Sequence, residues 1–296
     1  MCWIRNVNRF SEKTMLIGIG AQKAGTTWLY EYLDTHPDVY MSPEKEMHIF
    51  DYRYNDPRSP FLSMEEFRGI LVKRVAGIAD KINKKQGRLD KEAYIRVKRM
   101  VEKLAMLDYV EFYKDYFHQR VENENIFGEI TPAYSLLPKE GFQEIVSLHD
   151  RVKFIFIMRD PIDRAWSHMH MGLSGNNITI SHEESLSRIF DSDITQNKFF
   201  LKSDYSKTII NLESVVPKED ILYLFYEDLF TDSSVKRICN FLNIEYQEAD
   251  LSTKVRQGQY DDKIKTTDIV KNNVYADVYR FCHERFGQAI PSSWRM

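Results

Sequence analysis

Residues 15–33 read MLIGIGAQKAGTTWLYEYL, and this stretch decides the fold. Residues 15–19 form a continuous apolar run, which is typical of a strand buried on both faces of a parallel sheet. Beyond the glycines, apolar side chains recur at helical spacing and stop before Pro37, at Trp28, Leu29, Tyr32 and Leu33. The sequence therefore predicts a strand, a glycine-rich loop and a helix in direct succession.

The loop, residues 20–27, reads GAQKAGTT. A loop between a strand and the start of a helix presents backbone N–H groups to an anion, and glycines let the backbone approach closely. The pattern differs from the triphosphate-binding motif G-x-x-x-x-G-K-[ST], because Thr26 stands where that motif has lysine. The lysine of this loop is Lys23, inside the loop. A cation at that point suits a donor in which one positive charge faces the bridging oxygen of the breaking bond.

Two later segments repeat the strand-then-helix pattern. The apolar run 152–158 (VKFIFIM) leads into Arg159 and a helical segment near Ile162, and the run 221–225 leads into Tyr226 and another helix. Buried strands that alternate with helices indicate an α/β fold with a parallel, doubly wound sheet. No linker rich in Pro, Gly or Ser divides the chain, so we expect a single domain over residues 1–296.

Residues 56–124 carry helical periodicity, many Lys and Arg side chains and little strand signal, which predicts a helical insertion. The basic stretch 81–103 is open to two interpretations. It is either a wall that binds the acceptor or, as is more usual for such a charge run, a solvated helix face.

Composition excludes several classes of protein. The formal net charge of -3 provides no overall basic field for nucleic acid, so any anion must be bound at a local site. Cys2, Cys239 and Cys282 contain no C-x-x-C pair, which argues against a disulfide framework or a zinc site. No apolar run is long enough to span a membrane, and the N-terminal residues lack the apolar core of a signal peptide. We expect a cytoplasmic protein without a metal.

The string G-x-Q-K-A-G-T-T-W-L-x-x-x-L-x-x-H-P, here residues 20–37, resembles the 5′-phosphosulfate loop of sulfotransferases that use 3′-phosphoadenosine 5′-phosphosulfate (PAPS). The resemblance implies a P-loop-like, three-layer fold with a central parallel sheet flanked by helices. It also implies PAPS as the donor and 3′-phosphoadenosine 5′-phosphate (PAP) as the product. The residues that would contact the donor are Gln22, Lys23, Ala24, Gly25, Thr26, Thr27 and Trp28.

Three downstream segments extend the resemblance. Residues 154–167 are similar to the 3′-phosphate motif of this family, which implies that Arg159 and Ser167 bind that phosphate. A guanidinium fork and a hydroxyl suit a dianion. Tyr226 matches the tyrosine that packs near the adenine. Finally, a shortened form of the loop that closes over the 3′-phosphate, with glutamine in place of lysine, is found at Arg256, Gln257 and Gly258.

The catalytic base is predicted from two further strings. Residues 128–134 (GEITPAY) resemble the carbohydrate and tyrosyl branches of the family, which makes Glu129 the candidate base if burial raises its pKa towards neutrality. Residues 43–50 (PEKEMHIF) resemble a segment that faces the acceptor. There, Lys45 would hold the transferring group, and His48 would contact the acceptor or serve as an alternative base.

The resulting expectation is an in-line sulfuryl transfer from PAPS to a hydroxyl or amine, with Glu129 as base and Lys23 stabilising charge on the transferred group. The acceptor would be a small molecule or glycan, such as a carbohydrate or another polyhydroxylated metabolite. Two alternatives remain open at this point. One is a P-loop kinase, which would require magnesium and ATP, and the other is a non-catalytic PAPS-binding protein.

Overall fold

A parallel sheet of five strands, in the order β2-β3-β1-β4-β5, forms the centre of the protein. The computed structural model describes residues 10–54, 63–84, 90–175, 181–190, 198–251 and 274–294. The strands are β1 Thr14–Gly20, β2 Val39–Met41, β3 Ile126–Ile130, β4 Val152–Met158 and β5 Ile221–Phe225. Their side chains are almost all buried, as expected for strands covered on both faces. The predicted α/β class with a parallel sheet is confirmed.

Helices separate the strands along the chain. The first half contains α1 Thr26–Asp34, α2 Phe50–Arg53, α3 Met64–Lys84, α4 Lys91–Asp108, α5 Glu111–His118 and α6 Lys139–Ser147, with a 3₁₀ helix at Pro132–Leu136. The second half contains α7 Pro161–Gly175, α8 His182–Ile189, α9 Lys198–Leu201, α10 Tyr205–Glu213, α11 Tyr226–Leu229, α12 Asp232–Leu242 and α13 Ala276–Phe286. The chain goes from β1 to the edge strand β2 and then runs in the opposite direction across the sheet through β3, β4 and β5, so right-handed crossovers put helices on both faces of the sheet.

Strands β1, β4 and β5 lie where the apolar runs predicted them, whereas β2 and β3 carry no comparable signal in the sequence. Strand β2 has only three residues. Strand β3 contains Gly128, at which a Cβ would lie 1.8 Å from the backbone oxygen of Leu16. Glycine at that position therefore lets β3 pair closely with β1.

The helical insertion is confirmed for its described part, which consists of α3, α4 and α5. Most basic side chains of α4 are exposed to solvent. Lys103 is the exception: it is 9% exposed and lies 2.8 Å from the Glu44 carboxylate, in the segment that follows β2. In its described part, residues 90–103, the basic stretch is therefore mainly a solvated face, and Lys103 attaches it to the loops at the carboxyl edge of the sheet.

Because all five strands are parallel, their carboxyl ends meet at one edge. Strand β1 lies where the strand order reverses, and open α/β sheets bind ligands in the crevice at that point. The loops after β1, β2, β3 and β4 all begin at this edge, so the fold brings the predicted motifs together.

Candidate active site

The donor loop, residues 20–25, ends at Gly25, the N-cap of α1, with φ of 86°. The first N–H groups of a helix have no intrahelical acceptor, and glycine has no side chain to occupy them. A Cβ at Gly25 would lie 2.6 Å from Cδ2 of Leu229, so the loop has no space for a larger residue. The N–H of Ala24 instead donates to the Ala21 carbonyl at 3.1 Å and closes the loop. The predicted anion cradle is thus formed by backbone at the start of α1.

Lys23, Arg159 and Tyr226 lie together although their motifs are far apart in the sequence. Arg159 follows β4, and its Nη1 donates to the Lys23 carbonyl at 3.2 Å. The same guanidinium stacks on the Tyr226 ring, 4.5 Å from the ring centroid. Lys23 itself has φ of 73°, and its Nζ lies 3.6 Å from Sδ of Met171. The predicted 5′- and 3′-phosphate motifs therefore contact each other directly.

Ser167 lies on α7, one helical turn before Met171. Residues four positions apart share a helix face, so Ser167 is on the face of α7 that Met171 turns towards Lys23. Asp160 caps the start of this helix by accepting from the N–H groups of Ile162 and Asp163, at 3.0 and 3.2 Å. The cap fixes the direction of α7 next to the donor loop.

Trp28 has a different environment from the rest of the motif. Its ring is 4% exposed, its Nε1 donates to the Asp250 carbonyl at 3.1 Å, and the ring stacks on Tyr32. In this structure Trp28 therefore holds residues near Asp250 against α1. The predicted closing residues Arg256, Gln257 and Gly258 follow in the chain and lie outside the described residues.

Glu129, the predicted base, is 1% exposed on β3, and its carboxylate is surrounded by hydrogen-bond donors. The four donors are Met47 N at 3.1 Å, Thr131 Oγ1 at 2.5 Å, and the hydroxyls of Tyr113 and Tyr134, both at 2.9 Å. Burial raises the pKa of Glu129, and the hydrogen bonds oppose that rise. The expected raised pKa is present, but the expected access for an acceptor hydroxyl is not. This geometry gives Glu129 the contacts of an internal anchor.

What Glu129 anchors is the segment after β2, residues 42–50, which carries Lys45 and His48. The N–H of Met47 donates to Glu129, and the N–H of Ile49 donates to the Tyr134 hydroxyl at 3.1 Å. Glu46, just before the first of these bonds, and His48, between the two, have φ of 58° and 54°. Residues other than glycine rarely adopt positive φ angles, and strained residues of this kind cluster at functional sites. The anchored backbone thus turns the two polar side chains on either side of Met47 in unusual directions.

His48 lies between two carboxylates. Its Nδ1 is 2.7 Å from Asp51 Oδ2, and its Nε2 is 3.4 Å from Glu46 Oε2. Burial by itself would lower the pKa of His48, but the hydrogen bonds with Asp51 and Glu46 outweigh burial and raise the pKa to about 9. His48 is therefore an imidazolium at neutral pH, which suits the stabilisation of negative charge better than the removal of a proton.

Glu46 is a site residue that the sequence analysis missed. Its side chain is 40% exposed, in contrast to the enclosed Glu129. The hydrogen bond from His48 lowers the pKa of Glu46, and the charges of Lys45 and Lys202 lower it further. Lys45 also lies over the Tyr30 ring, with Nζ 5.5 Å from the centroid. In the sequence, Glu44 and Glu46 flank Lys45 and look alike. The structure distinguishes them, because Glu46 has a positive φ and pairs with His48, whereas Glu44 pairs with Lys103.

Two further properties concern the described residues as a whole. No group of three or more His, Cys, Asp or Glu side chains suited to a metal ion was found among them. Within the same part of the chain, every helix is too short or too polar to cross a membrane.

Residues 13–286 match the family model described as "Sulfotransferase domain". The chain is 23% identical over 159 residues to the membrane-associated sulfotransferase kil1 of Dictyostelium discoideum. That match covers 53% of this chain and 22% of the relative, so the aligned half of this chain corresponds to about a fifth of that protein.

Among solved structures, a sulfotransferase from Alicyclobacillus acidocaldarius aligns over 95% of this chain and 98% of its own, with a TM-score of 0.58 and 20% identity. The sulfotransferase domain of the Synechococcus PCC 7002 olefin synthase aligns over 79% of this chain and 74% of its own, with a TM-score of 0.52 and 18% identity. These two likenesses establish the fold.

Proposed function

Because the chain belongs to the sulfotransferase domain family, we propose that it transfers a sulfuryl group from PAPS to a hydroxyl or amine of a small-molecule or glycan acceptor. The family predicted from the motifs is confirmed by that membership. The observation that carries the finer proposal is the 3.2 Å hydrogen bond from Arg159 to the Lys23 carbonyl. It joins a helix-start anion cradle to a guanidinium, as a donor with both a 5′-phosphosulfate and a 3′-phosphate requires.

In this proposal the backbone N–H groups at the start of α1, together with Gln22, Thr26 and Thr27, bind the 5′-phosphosulfate. Arg159 and Ser167 bind the 3′-phosphate, and Tyr226 lies against the base. Glycine at position 25 supports this loop shape, because its φ of 86° favours glycine and a Cβ there would lie 2.6 Å from Cδ2 of Leu229. Ala24 shapes the loop, and Trp28 holds the chain that leads to Arg256, Gln257 and Gly258, which would close over the donor.

We propose Glu46 rather than Glu129 as the base. The ground for this choice is access: the Glu46 side chain is 40% exposed, so a bound acceptor can reach its carboxylate, which is ionised at neutral pH. The lowered pKa makes Glu46 a weaker base than a carboxylate with a pKa near 7, and protonated His48 beside it offsets this by stabilising charge on the transferred group. Glu129 is enclosed by four donors, and its role in this proposal is to hold the backbone of Met47 so that Glu46 and His48 keep their positions.

The donor supplies a sulfuryl group whose bond to the bridging oxygen breaks as the acceptor oxygen or nitrogen bonds to sulfur. Lys23 stabilises charge on the bridging oxygen, and Lys45 and protonated His48 stabilise charge on the transferred group. Glu46 takes the acceptor's proton. The proposal assigns no metal to these steps, because the positive charges come from the protein, and it keeps the expected cytoplasmic location.

Calorimetry with PAP and with ATP, each with and without magnesium, tests the donor site. We expect PAP to bind without magnesium and more tightly than ATP, whereas a kinase would bind ATP with magnesium. Incubation with PAPS and pooled acceptors, followed by mass spectrometry for an added sulfate, tests transfer. PAP binding without any sulfated product in acceptor pools that cover sugars, phenols and amines would favour the non-catalytic alternative.

A further inference from the structure

Residues 199–205, which we call the linking segment, run from α9 into the first residue of α10 beside the donor site. The segment is fixed to α7 by Arg164, which is fully buried. Arg164 Nε donates to Ser203 Oγ and its Nη2 donates to the Phe199 carbonyl, both at 2.5 Å. Ser203 Oγ in turn donates to the Pro161 carbonyl at 2.9 Å. The helix that carries Ser167 therefore determines where the linking segment lies.

The end of the linking segment is also attached to the predicted 3′-phosphate motif. The hydroxyl of Tyr205 donates to the Arg159 carbonyl at 2.7 Å and accepts from the Arg159 N–H at 3.3 Å. Tyr205 is itself fully buried. A segment held by both Arg164 and Tyr205 has little freedom to move relative to Arg159.

From this rigid segment Lys202 reaches back to the donor loop. Its Nζ donates to Gln22 Oε1 at 2.6 Å, and the residue is only 6% exposed. Burying an ammonium is costly unless anions or hydrogen-bond acceptors compensate for the lost water. Lys202 donates to the Gln22 amide oxygen, which belongs to the loop that would receive an anion. Its charge also lowers the pKa of Glu46.

We propose that Lys202 is a positioning residue for sulfuryl transfer, which holds the donor loop through Gln22 and sets that loop relative to the acceptor-side carboxylate Glu46. This inference rests on the proposed function. Lys202 would strengthen the binding of the 5′ anion through its charge and through the shape it gives the loop. It would leave the 3′-phosphate contacts of Arg159 and Ser167 unchanged.

The test compares two ligands that differ only in the 5′-phosphate, PAP and adenosine 3′-monophosphate. For Lys202→Met we expect a loss of PAP affinity on the order of tenfold, as for removal of a charge-assisted hydrogen bond. Adenosine 3′-monophosphate should bind within about twofold of wild type. Lys202→Arg should recover part of the PAP affinity, because it restores the cation.

Lys13→Met is the matched control. Lys13 is also a buried lysine that donates to backbone carbonyls, those of Glu122 and Glu124, but it lies at the opposite edge of the sheet. We expect it to bind both ligands as wild type does. Gln22→Ala supplies a second route if Lys202→Met does not fold: it should weaken PAP in the same way. In the Gln22→Ala background, the further change Lys202→Arg should alter PAP affinity less than Lys202→Arg alters it in the wild-type background.

A second measurement separates positioning from general damage. The charges of His48, Lys45 and Lys202 lower the pKa of Glu46, so removing the Lys202 charge should move the acid limb of kcat/KM to higher pH. If wild type binds PAP but Lys202→Met binds both ligands as wild type does, the inference is overturned and the proposed function stands. Equal weakening of both ligands also overturns it. Failure of wild type to bind PAP refutes the proposed function itself.

Discussion

Exchanging carboxylate for amide at Glu129 and at Glu46 should give opposite results. Glu129 accepts four hydrogen bonds in an enclosed site, from Met47, Thr131, Tyr113 and Tyr134. A glutamine there keeps one acceptor oxygen but replaces the other with a donor, so at least one buried donor loses its acceptor. We expect Glu129→Gln to lower the free energy of unfolding by about 1–3 kcal/mol, with relief of the buried charge offsetting part of the loss.

Glu46→Gln should do the reverse. Its side chain is 40% exposed and pairs with His48, which keeps Asp51 as its second carboxylate, so we expect the free energy of unfolding to fall by about 1 kcal/mol or less. Loss of the proton acceptor should lower turnover by about 10²–10⁴-fold. Glu44→Gln is the matched control, since Glu44 lies two positions away and pairs with Lys103. It should keep near-normal turnover.

Urea unfolding followed by tryptophan fluorescence measures the stabilities, and transfer of labelled sulfate at pH 7 measures turnover. The reasoning would be refuted if Glu129→Gln kept the wild-type urea midpoint and lost transfer at least about a hundredfold while Glu46→Gln stayed active. That result would make Glu129 the base, as the sequence motif alone suggested.

Three further changes test other parts of the site. Lys23→Ala should lower turnover by about a hundredfold or more, and near-normal transfer would contradict its role at the bridging oxygen. Gly25→Ala, whose Cβ would lie 2.6 Å from Leu229 Cδ2 at φ of 86°, should weaken PAP binding and cost about 1–3 kcal/mol in stability, whereas Gly69→Ala, which meets open space, should not destabilise. Because the pKa of His48 is raised from 6.5 to about 9, its stabilisation is complete below pH 6.5 and is lost as pH rises through 9. The free energy of unfolding measured by urea titration should therefore fall over that range by up to about 3 kcal/mol. If His48→Gln lost the same free energy over the same pH range, His48 would not be the cause.

The sequence by itself determined the features that are local in the chain. An apolar run, a glycine-rich loop and a helix that follow one another predict a strand, an anion cradle and α1, because each depends on neighbouring residues only. The same reasoning placed β4, β5 and Arg159. Short β2 and the glycine-containing β3 lacked such a signal, since the strand state of β3 depends on pairing with β1 and that of β2 depends on pairing with β3.

Only the tertiary structure decided which of two acidic side chains is enclosed and which is exposed. Glu129 and Glu46 both stand in motifs that suggest catalysis, but burial and backbone angle, which no local pattern contains, enclose the first and expose the second. The contact between Lys202 and Gln22 joins residues 180 positions apart and arises because parallel strands bring their following loops to one edge. The proposed donor loop could thus be recognised from its residues, whereas the groups that hold it and the proposed base depend on the folded chain.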